Sequence, residues 1–271
     1  MLFEAREVNS TMKVSILSII TNQQQALEEK EYIKKQSISN DIELFQIDNI
    51  KNQFSSAATA YNYNAPKATG EVLIFMHQDV YLWDTEAVEK IYNFIKNEPS
   101  AIVGVAGVSS DDKKVYGDLY ETKQKLRRTI SCTKPHISAI TLDECLFAMS
   151  SERFNAIGFD EKTTDNWHYY GADICYQNLL RGGKNYIIPL QICHESTGNQ
   201  KNKSFIKATT KMIKKYKKKI DYLYTTCIAI RCTHTAHMLF NIKMYIYPII
   251  PQSIKNTIKF IRLRKDNKKI G

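Results

Sequence analysis

The short stretch FMHQDV, residues 75–80, places three polar side chains directly after an apolar run. His77, Gln78 and Asp79 would then lie at the carboxyl end of a buried strand, where open α/β sheets bind their ligands. The sequence has no P-loop and no G-x-G-x-x-G motif after its first strand, so a bound diphosphate would need a divalent cation. Asp79 and His194, which ends a later apolar run, would suit Mn²⁺ or Mg²⁺, because these ions accept carboxylate and imidazole ligands.

Short apolar runs alternate with segments of helical composition over the first 200 residues, which predicts an α/β fold with a mostly parallel sheet flanked by helices. The predicted strands are 13–20, 42–48, 71–77, 101–108, 137–150 and one that ends at His194, and the predicted helices are 24–36, one from Ser55 or Ser56 to about residue 66, 85–96 and 172–180. Thr21, Asp48 and Asp79 follow the first three strands. If these strands are parallel, the three side chains share one rim of the sheet.

Two blocks of the sequence together resemble inverting glycosyltransferases of the broad family 2 type, over about residues 13–197. The first block is YNYNAPKATGEVLIFMHQDV, residues 61–80, in which His77 replaces the first aspartate of the family's Asp-x-Asp motif. The second block runs from GFDE at 158–161 to the histidine at 194. The matching residues are Asn62, Gly70, Glu71, Asp79, Gly158, Phe159, Asp160, Glu161, Gly171, Asp173, Pro189 and His194. The resemblance implies a GT-A, Rossmann-like fold that uses a nucleotide-sugar donor.

The resemblance also implies a role for each candidate site residue. Asp173 occupies the position of the family's general base, and Asp79 and His194 would hold the metal ion. The residues expected to bind the donor are Thr21, Asn22, Asp48, Asn62, His77, Gln78, Asp79, Asp143 and Glu144. The flat rings of Trp167, His168 and Tyr170 would stack on the acceptor sugar. Ala172 and Cys175 depart from the family pattern, which usually has acidic residues there.

The charge of the chain is divided unevenly, although the net value is +10. Residues 201–271 hold 18 lysines and arginines against two aspartates, whereas residues 1–200 are net acidic. We therefore predict a glycosyltransferase domain at 12–200 and a basic helical extension at 201–271. A basic segment favours a polyanionic partner, either nucleic acid or an anionic membrane surface. No nucleic-acid recognition module accompanies the charge, so membrane is the expected partner.

Apolar residues recur at helical spacing in the first part of the extension, and the pattern leaves two interpretations open. They are Ile213, Tyr216, Ile220, Leu223, Cys227 and Ile230. This stripe could pack on the catalytic body or contact lipid, and residues after about 240 mix aromatic, aliphatic and basic side chains as an interfacial segment would. The spacing of Cys227, Cys232, His234 and His237 differs from that of a zinc-finger knuckle, so no zinc site is expected there.

The resemblance implies a metal-dependent hexosyltransferase that builds a surface polysaccharide by adding a sugar to a saccharide or lipid-linked acceptor. Six cysteines without a C-x-x-C pair are typical of reduced thiols, and the first residues show no signal-peptide pattern, so we expect a cytoplasmic protein, peripheral at the inner face of the membrane. The alternative, favoured by Ala172 and Cys175, is a non-catalytic relative that binds nucleotide or sugar. A basic nucleic-acid-binding protein is the third reading.

Overall fold

The computed structural model describes residues 12–121, 129–195 and 203–246. In these ranges the chain forms a nine-stranded sheet of order β2-β1-β3-β10-β5-β11-β9-β6-β7, a three-stranded sheet of order β4-β12-β8 and a separate hairpin, β13-β14. The strands are β1 Val14–Ile20, β2 Ile42–Asp48, β3 Val72–His77, β4 Val80–Leu82, β5 Ala101–Gly104, β6 Ala106–Ser109, β7 Val115–Gly117, β8 Leu119–Tyr120, β9 Ile137–Leu142, β10 Leu146–Ser150, β11 Lys184–Ile187, β12 Ile192–His194, β13 Tyr222–Tyr224 and β14 Ala229–Arg231. The α-helices are α1 Gln23–Ile33, α2 Ala57–Asn64, α3 Ala87–Asn97, α4 Ser151–Ile157, α5 Tyr170–Leu180, α6 Lys203–Tyr216 and α7 His234–Ile246.

The main sheet confirms the predicted α/β class. Strands β2, β1, β3, β5, β11 and β6 point in one direction, and β10, β9 and β7 point in the other. Successive residues of the central strands enter opposite cores: Ile16 and Ile74 pack towards α3, whereas Leu17 and Phe75 pack towards α2 and α5. Because both faces are covered, these strands are mostly apolar on both faces rather than alternating, and β1 departs from this only at the buried Ser15 and Ser18.

Two predicted strands are each divided in the structure. The run 101–108 forms β5 and β6, which pair with different neighbours in the sheet. The run 137–150 forms β9 and β10, and the turn between them is closed by the Cys145 N–H, which donates to Asp143 Oδ1 at 3.1 Å. An aspartate that accepts from the backbone two residues later is a common turn device. The polar Asp-Glu pair inside an apolar run was therefore the signal for this turn.

Local capping explains where several helices begin. Asn22 accepts hydrogen bonds from the backbone N–H groups of Gln24 and Gln25, so it caps α1 directly after β1. Ser56 caps α2, as one of the two predicted serines, through a bond from the Thr59 N–H. A side-chain acceptor at this position satisfies a backbone donor that the helix itself leaves unpaired.

Helix α6 and the hairpin β13-β14 pack on the body. Phe205, Met212 and Tyr216 of α6 are buried against Tyr169 and Tyr176 of the α5 region, in a third apolar core. The predicted apolar stripe does not lie on one long helix: α6 ends at Tyr216, and Leu223 and Ile230 belong to the hairpin β13-β14. The expectation that residues after about 240 contact lipid falls mainly outside the described residues, which end at 246.

Candidate active site

The rim formed by β1, β2 and β3 gathers the polar side chains of the opening motif. The three strands are parallel, with Ile20 opposite Asp48 and Ile19 opposite His77. The chain turns after His77 into β4, and β12 pairs with β4 so that His194 lies opposite Val80. This antiparallel pair brings two histidines that are 117 residues apart in the sequence to the same point.

His77, Asp79 and His194 form a compact group of metal-ligating atoms. His194 Nε2 lies 3.4 Å from His77 Nδ1 and 3.4 Å from Asp79 Oδ1. The three ligand atoms all lie within 4.8 Å of one another, so one ion could reach all of them. Two imidazoles and one carboxylate are a suitable donor set for Mn²⁺. The sequence predicted a donor-binding role for His77 and only Asp79 and His194 as metal ligands.

The electrostatic environment keeps these groups in the forms that a metal ion needs. Burial and the neighbouring His194 lower the pKa of His77 to about 4, so its imidazole is neutral at physiological pH. Burial alone would raise the pKa of Asp79, but the hydrogen bond and charge of His194 outweigh it, and the pKa lies below its usual range. A neutral imidazole and an ionised carboxylate both offer free electron pairs.

Tyr170 contacts His77 through its hydroxyl, and its ring lies in the core. Its hydroxyl lies 2.8 Å from His77 Nε2 and donates to the Glu144 carbonyl oxygen at 3.3 Å. With that donation made, the tyrosine oxygen accepts the proton of His77 Nε2, and His77 Nδ1 keeps its lone pair towards Asp79 and His194. Tyr170 is 3 % exposed and packs among Tyr61, Phe147 and Phe159, a placement that argues against the predicted stacking role.

Asp143 and Glu144, predicted to face the sugar, lie in the turn between β9 and β10. Asp143 Oδ2 accepts a hydrogen bond of 2.7 Å from the Thr226 hydroxyl. Burial raises the pKa of Asp143, but His194 and the hydrogen bonds from Thr226 and Cys145 outweigh it, so the pKa lies below its usual range. Burial and the charge of Asp143 raise the pKa of Glu144 to about 8. Glu144 Oε1 accepts from the Gly171 N–H at 3.1 Å, an approach that a Cβ at position 171 would obstruct because it would lie 2.9 Å from Glu144 Cγ.

Asp173, the predicted general base, is buried beneath α6. Its carboxylate accepts two hydrogen bonds from Lys215 Nζ, at 2.6 and 2.8 Å, and one from the Tyr216 hydroxyl at 2.8 Å. Gln177 Nε2 donates to it at 2.8 Å. The side chain is 1 % exposed, and it is not among the residues that line the cavities of the site. This placement argues against the predicted role, because a base must reach the acceptor hydroxyl.

The remaining rim residues hold each other in place. Gln78 donates to Thr21 Oγ1 at 2.7 Å and accepts from the Thr21 and Asn22 N–H groups, so β3 and the start of α1 are joined. Asn22 uses its own side chain to cap α1. Asp48 is exposed at the end of β2, where Oδ1 accepts from the Ile50 N–H at 2.9 Å.

Asn62 hydrogen-bonds to the GFDE loop, residues 158–161. Its amide donates to the Phe159 carbonyl oxygen and to Glu161 Oε1, at 2.9 and 2.8 Å, and its oxygen accepts from the Phe159 N–H. These bonds use the side chain to hold the GFDE loop, and the predicted contact of Asn62 with the donor stays a prediction.

Two cavities meet at the group of ligating atoms. The outer cavity lies on the rim of β1 and β3, and the inner cavity extends towards α5, α6 and the hairpin. Residues that line the outer cavity include Thr21, Gln78, Asp79, Tyr61 and Tyr170. Residues that line the inner cavity include Asp143, Glu144, His168, His194, Phe205 and Thr226. His77 and Trp167 line both cavities. Trp167 is 41 % exposed, so its ring is accessible at this junction.

Comparison with known proteins identifies the family. The sequence model described as "Glycosyltransferase like family" matches residues 15–220, which is more than half of the chain. The protein belongs to this glycosyltransferase family. The relative "ATP synthase subunits region ORF 6" of Fuscovulum blasticum is 24 % identical over 229 residues, which cover 77 % of this chain and 85 % of the relative.

A solved structure described as GalNAc-T7 with UDP, GalNAc and Mn2+ matches at a TM-score of 0.49 and 16 % identity. The match covers 76 % of this chain and 48 % of the other, so the glycosyltransferase spans about half the length of that protein. None of the helices described here is both long and apolar enough to cross a membrane.

Several residues of this glycosyltransferase's site were missed by sequence analysis. Phe205 and the turn 225–227 line the inner cavity although they lie beyond residue 200, where the predicted domain ends. The family match itself continues to residue 220, through all of α6. The hairpin β13-β14 begins at Tyr222, after the match ends. No motif marks these residues, and only the folded chain brings them to the cavity.

Proposed function

We propose that this protein transfers a sugar from a nucleotide-diphosphate donor to a saccharide or lipid-linked acceptor, by a single displacement with inversion. The observation that carries the proposal is the group His77, Asp79 and His194 at the junction of two cavities. The nucleotide would occupy the outer cavity beside Thr21 and Gln78. The transferred sugar and the acceptor would then meet in the inner cavity, between Asp143, Glu144 and Trp167.

His77, Asp79 and His194 would hold a divalent cation, Mn²⁺ or Mg²⁺, in this function. Bound there, the ion supplies Lewis-acid stabilisation of the negative charge that develops on a departing diphosphate. The chain's own contribution is to orient the ligands: Tyr170 holds His77 through Nε2, and the Glu195 N–H donates to the Asp79 carbonyl oxygen at 3.0 Å. Supporting bonds of this kind fix ligand geometry and influence affinity.

Glu144 is our candidate for the general base. An inverting displacement needs a group that takes the proton of the acceptor hydroxyl, and such a group works best when its pKa is near the operating pH. The pKa of Glu144 is raised to about 8 by burial and by Asp143, and Glu144 lines the inner cavity. Asp143, whose pKa is lowered, is better suited to accept hydrogen bonds from sugar hydroxyls.

We further propose that the protein acts at the inner face of a membrane, in the synthesis of a surface polysaccharide. Residues 247–271 carry seven lysines and arginines and one aspartate. Each cation near an anionic leaflet contributes about 1 kcal/mol of attraction. On α7, which precedes this segment, Met238, Leu239, Ile242 and Tyr245 are exposed. An apolar helix face beside a cationic segment is typical of interfacial binding.

A non-catalytic relative that binds nucleotide or sugar is the second candidate. The observation that favours it is the ion pair between Asp173 and Lys215. Asp173 is the residue at the family's base position, and this pair engages its carboxylate. Ala172, buried beside it, removes another acidic group. Both candidates predict that a nucleotide sugar binds, but only the first predicts turnover.

A panel of nucleoside diphosphates and nucleotide sugars, tested by thermal shift with and without Mn²⁺, examines the shared part of both candidates. A ligand that binds the folded state raises its apparent stability. We expect a shift that needs both the nucleotide and Mn²⁺. The release of free nucleotide from the best donor then separates the two, because a binding protein leaves the donor intact. A panel in which no ligand shifts the melting temperature would contradict both, and shifts that do not depend on Mn²⁺ would contradict metal-dependent transfer.

A further inference from the structure

The hairpin β13-β14 reaches the inner cavity by its turn, residues 225–227. Thr225, Thr226 and Cys227 line the same cavity as Asp143 and Glu144. The Thr226 hydroxyl donates to Asp143 Oδ2 at 2.7 Å, a contact between residues 83 positions apart. The hairpin lies beyond residue 220, the end of the family match, so this wall of the cavity is a feature that the family model does not include.

The turn is held rigidly against the body. Thr225 Oγ1 accepts from the Cys227 and Ile228 N–H groups, at 3.2 and 3.1 Å, which fixes the turn itself. The Tyr224 N–H donates to the Tyr176 hydroxyl at 2.8 Å, and Thr141 donates to the Tyr224 carbonyl oxygen at 3.0 Å. Leu223 is fully buried in the core beside α6. A wall with these anchors has a fixed shape, as a selective pocket requires.

Thr226 also determines how Asp143 can contact a ligand. One carboxylate oxygen accepts from Thr226 and the other from the Cys145 N–H. Together with a bond from the Cys145 thiol, these bonds fix the plane of the carboxylate and leave one of its four lone pairs for a ligand hydroxyl. A polar group held in this way discriminates strongly among ligands, because a sugar without the matching hydroxyl leaves it desolvated and unpaired.

We infer that the turn 225–227 selects the transferred sugar, with Thr226 positioning Asp143 as the acceptor for one sugar hydroxyl. The inference rests on the proposed function and adds a residue segment that determines which sugar the site accepts. Thr226 acts through Asp143 and is a positioning residue. The nucleotide part of the donor lies in the outer cavity in this account, so the turn should affect recognition of the sugar and leave recognition of the nucleotide unchanged.

The test compares Thr226→Val, which removes the hydroxyl, with Thr226→Ser, which keeps it. The control is Thr85→Val, at an exposed threonine outside both cavities. Each variant is assayed with UDP-glucose, UDP-galactose, UDP-N-acetylglucosamine and GDP-mannose, together with UDP and GDP alone. Thermal melts establish that each variant is folded.

We expect Thr226→Val to change the ratio of kcat/KM between the two best donors by about fivefold or more, as the loss of one buried hydrogen bond would. The affinity for the free nucleoside diphosphate should stay within about twofold, and Thr226→Ser and Thr85→Val should keep the wild-type ratio. An unchanged donor ratio in folded Thr226→Val, with an active wild type, would overturn the inference and leave the proposed function intact.

An inactive wild type would reject the proposed catalysis, and thermal shift with the same donors then replaces kcat/KM. In that case the inference survives if Thr226→Val changes the order of sugar preference while UDP and GDP bind as before. The same order in both proteins, or the absence of any preference among sugars, would overturn it. If Thr226→Val fails to fold, Cys227→Phe, which enlarges a side chain of the same wall, is expected to change the sugar order with nucleotide affinity retained.

Discussion

Asp173 and Lys215 form an ion pair of 2.6 Å between α5 and α6, and the aspartate is almost completely buried. Lys215 also contacts Asp160 Oδ2 at 2.8 Å, so a single lysine of α6 joins the GFDE loop to α5. The residue at the family's base position is therefore part of the contact that attaches residues 203–246 to the rest of the protein.

This arrangement predicts different consequences for Asp173→Asn and Glu144→Gln. Asp173→Asn removes the buried charge that Lys215 and the Tyr216 hydroxyl contact, while Lys215 keeps its pair with Asp160, so it should lower the free energy of unfolding by about 2 kcal/mol. Glu144→Gln removes the proposed base and should lower kcat by about 10²–10⁴-fold with donor binding retained. Urea denaturation and steady-state kinetics measure the two effects.

The control for Asp173→Asn is Asp165→Asn. Asp165 pairs with Lys211 of α6, the helix that also carries Lys215, but its side chain is 41 % exposed. An exposed pair contributes little, so this control should remain within about 1 kcal/mol of wild type. A stable Asp173→Asn variant whose kcat has collapsed would return the role of base to Asp173.

Glu29 gives a pH dependence of stability that is independent of catalysis. It is buried between α1, β1 and β2, where Ser18 and Gln46 each donate to its Oε2 at 2.8 Å. Burial raises its pKa from 4.5 to about 7. Between these two values the folded protein keeps a proton that the unfolded chain releases, so stability falls as the pH rises through this window.

Glu29→Gln removes this titration. The change that it causes in the free energy of unfolding should therefore be more favourable above pH 7 than below pH 4.5, by on the order of 3 kcal/mol. Urea denaturation at pH 4.5 and pH 8 measures this difference. The matched control Glu31→Gln changes an exposed glutamate of the same helix and should show no such difference. Equal effects of Glu29→Gln at both pH values would contradict the assignment of a raised pKa to this residue.

Truncation before α6 should destabilise the protein, because α6 packs on the body. A chain that ends at residue 200 loses Phe205, Met212 and Tyr216, and with them the partner surface of Tyr169 and Tyr176. We expect it to aggregate or to melt early, because apolar surface of the body becomes exposed. A chain that ends at residue 246 keeps α6 and the hairpin, and it should melt close to the full-length protein.

The two chains that keep the body also test the proposed membrane contact. Full-length protein should sediment with phosphatidylglycerol vesicles and be released by salt, because exposed charges are screened over about 8 Å at physiological ionic strength. The chain ending at residue 246 should bind much less, and neutral vesicles should capture little of either. Equal sedimentation of both chains with anionic vesicles would contradict a role for residues 247–271.

The rim could be predicted from the sequence because its determinants are local. Three apolar runs of strand length each end on a polar residue, and the rule that parallel strands present one common edge then places Thr21, Asp48 and Asp79 together. The start of α2 at Ser56 was likewise readable from a single capping residue. His194 was predicted to lie near Asp79 because it also ends an apolar run, and the family resemblance pointed to the same residue.

The contacts that were missed all join distant parts of the chain. Asp173 and Lys215 are 42 residues apart, and nothing around Asp173 shows that a lysine of a later helix will neutralise it. Tyr170 lies in an aromatic stretch, and periodicity does not distinguish an exposed ring from one that donates a hydrogen bond in the core. The stripe 213–230 kept helical spacing beyond Tyr216, although α6 ends at Tyr216 and Leu223 and Ile230 belong to the hairpin.

The central claim is that His77, Asp79 and His194 hold the cation on which sugar transfer depends. The most direct measurement is the rate of nucleoside diphosphate release from the best donor as Mn²⁺ is varied, for wild type, Asp79→Ala, His77→Ala and the control His234→Ala, at an exposed residue of α7. We predict release that requires Mn²⁺ in wild type and in the control, and loss of that Mn²⁺-dependent release in the two site variants, with melting temperatures preserved. Release at the wild-type rate by folded Asp79→Ala, with the same Mn²⁺ dependence, would contradict the account.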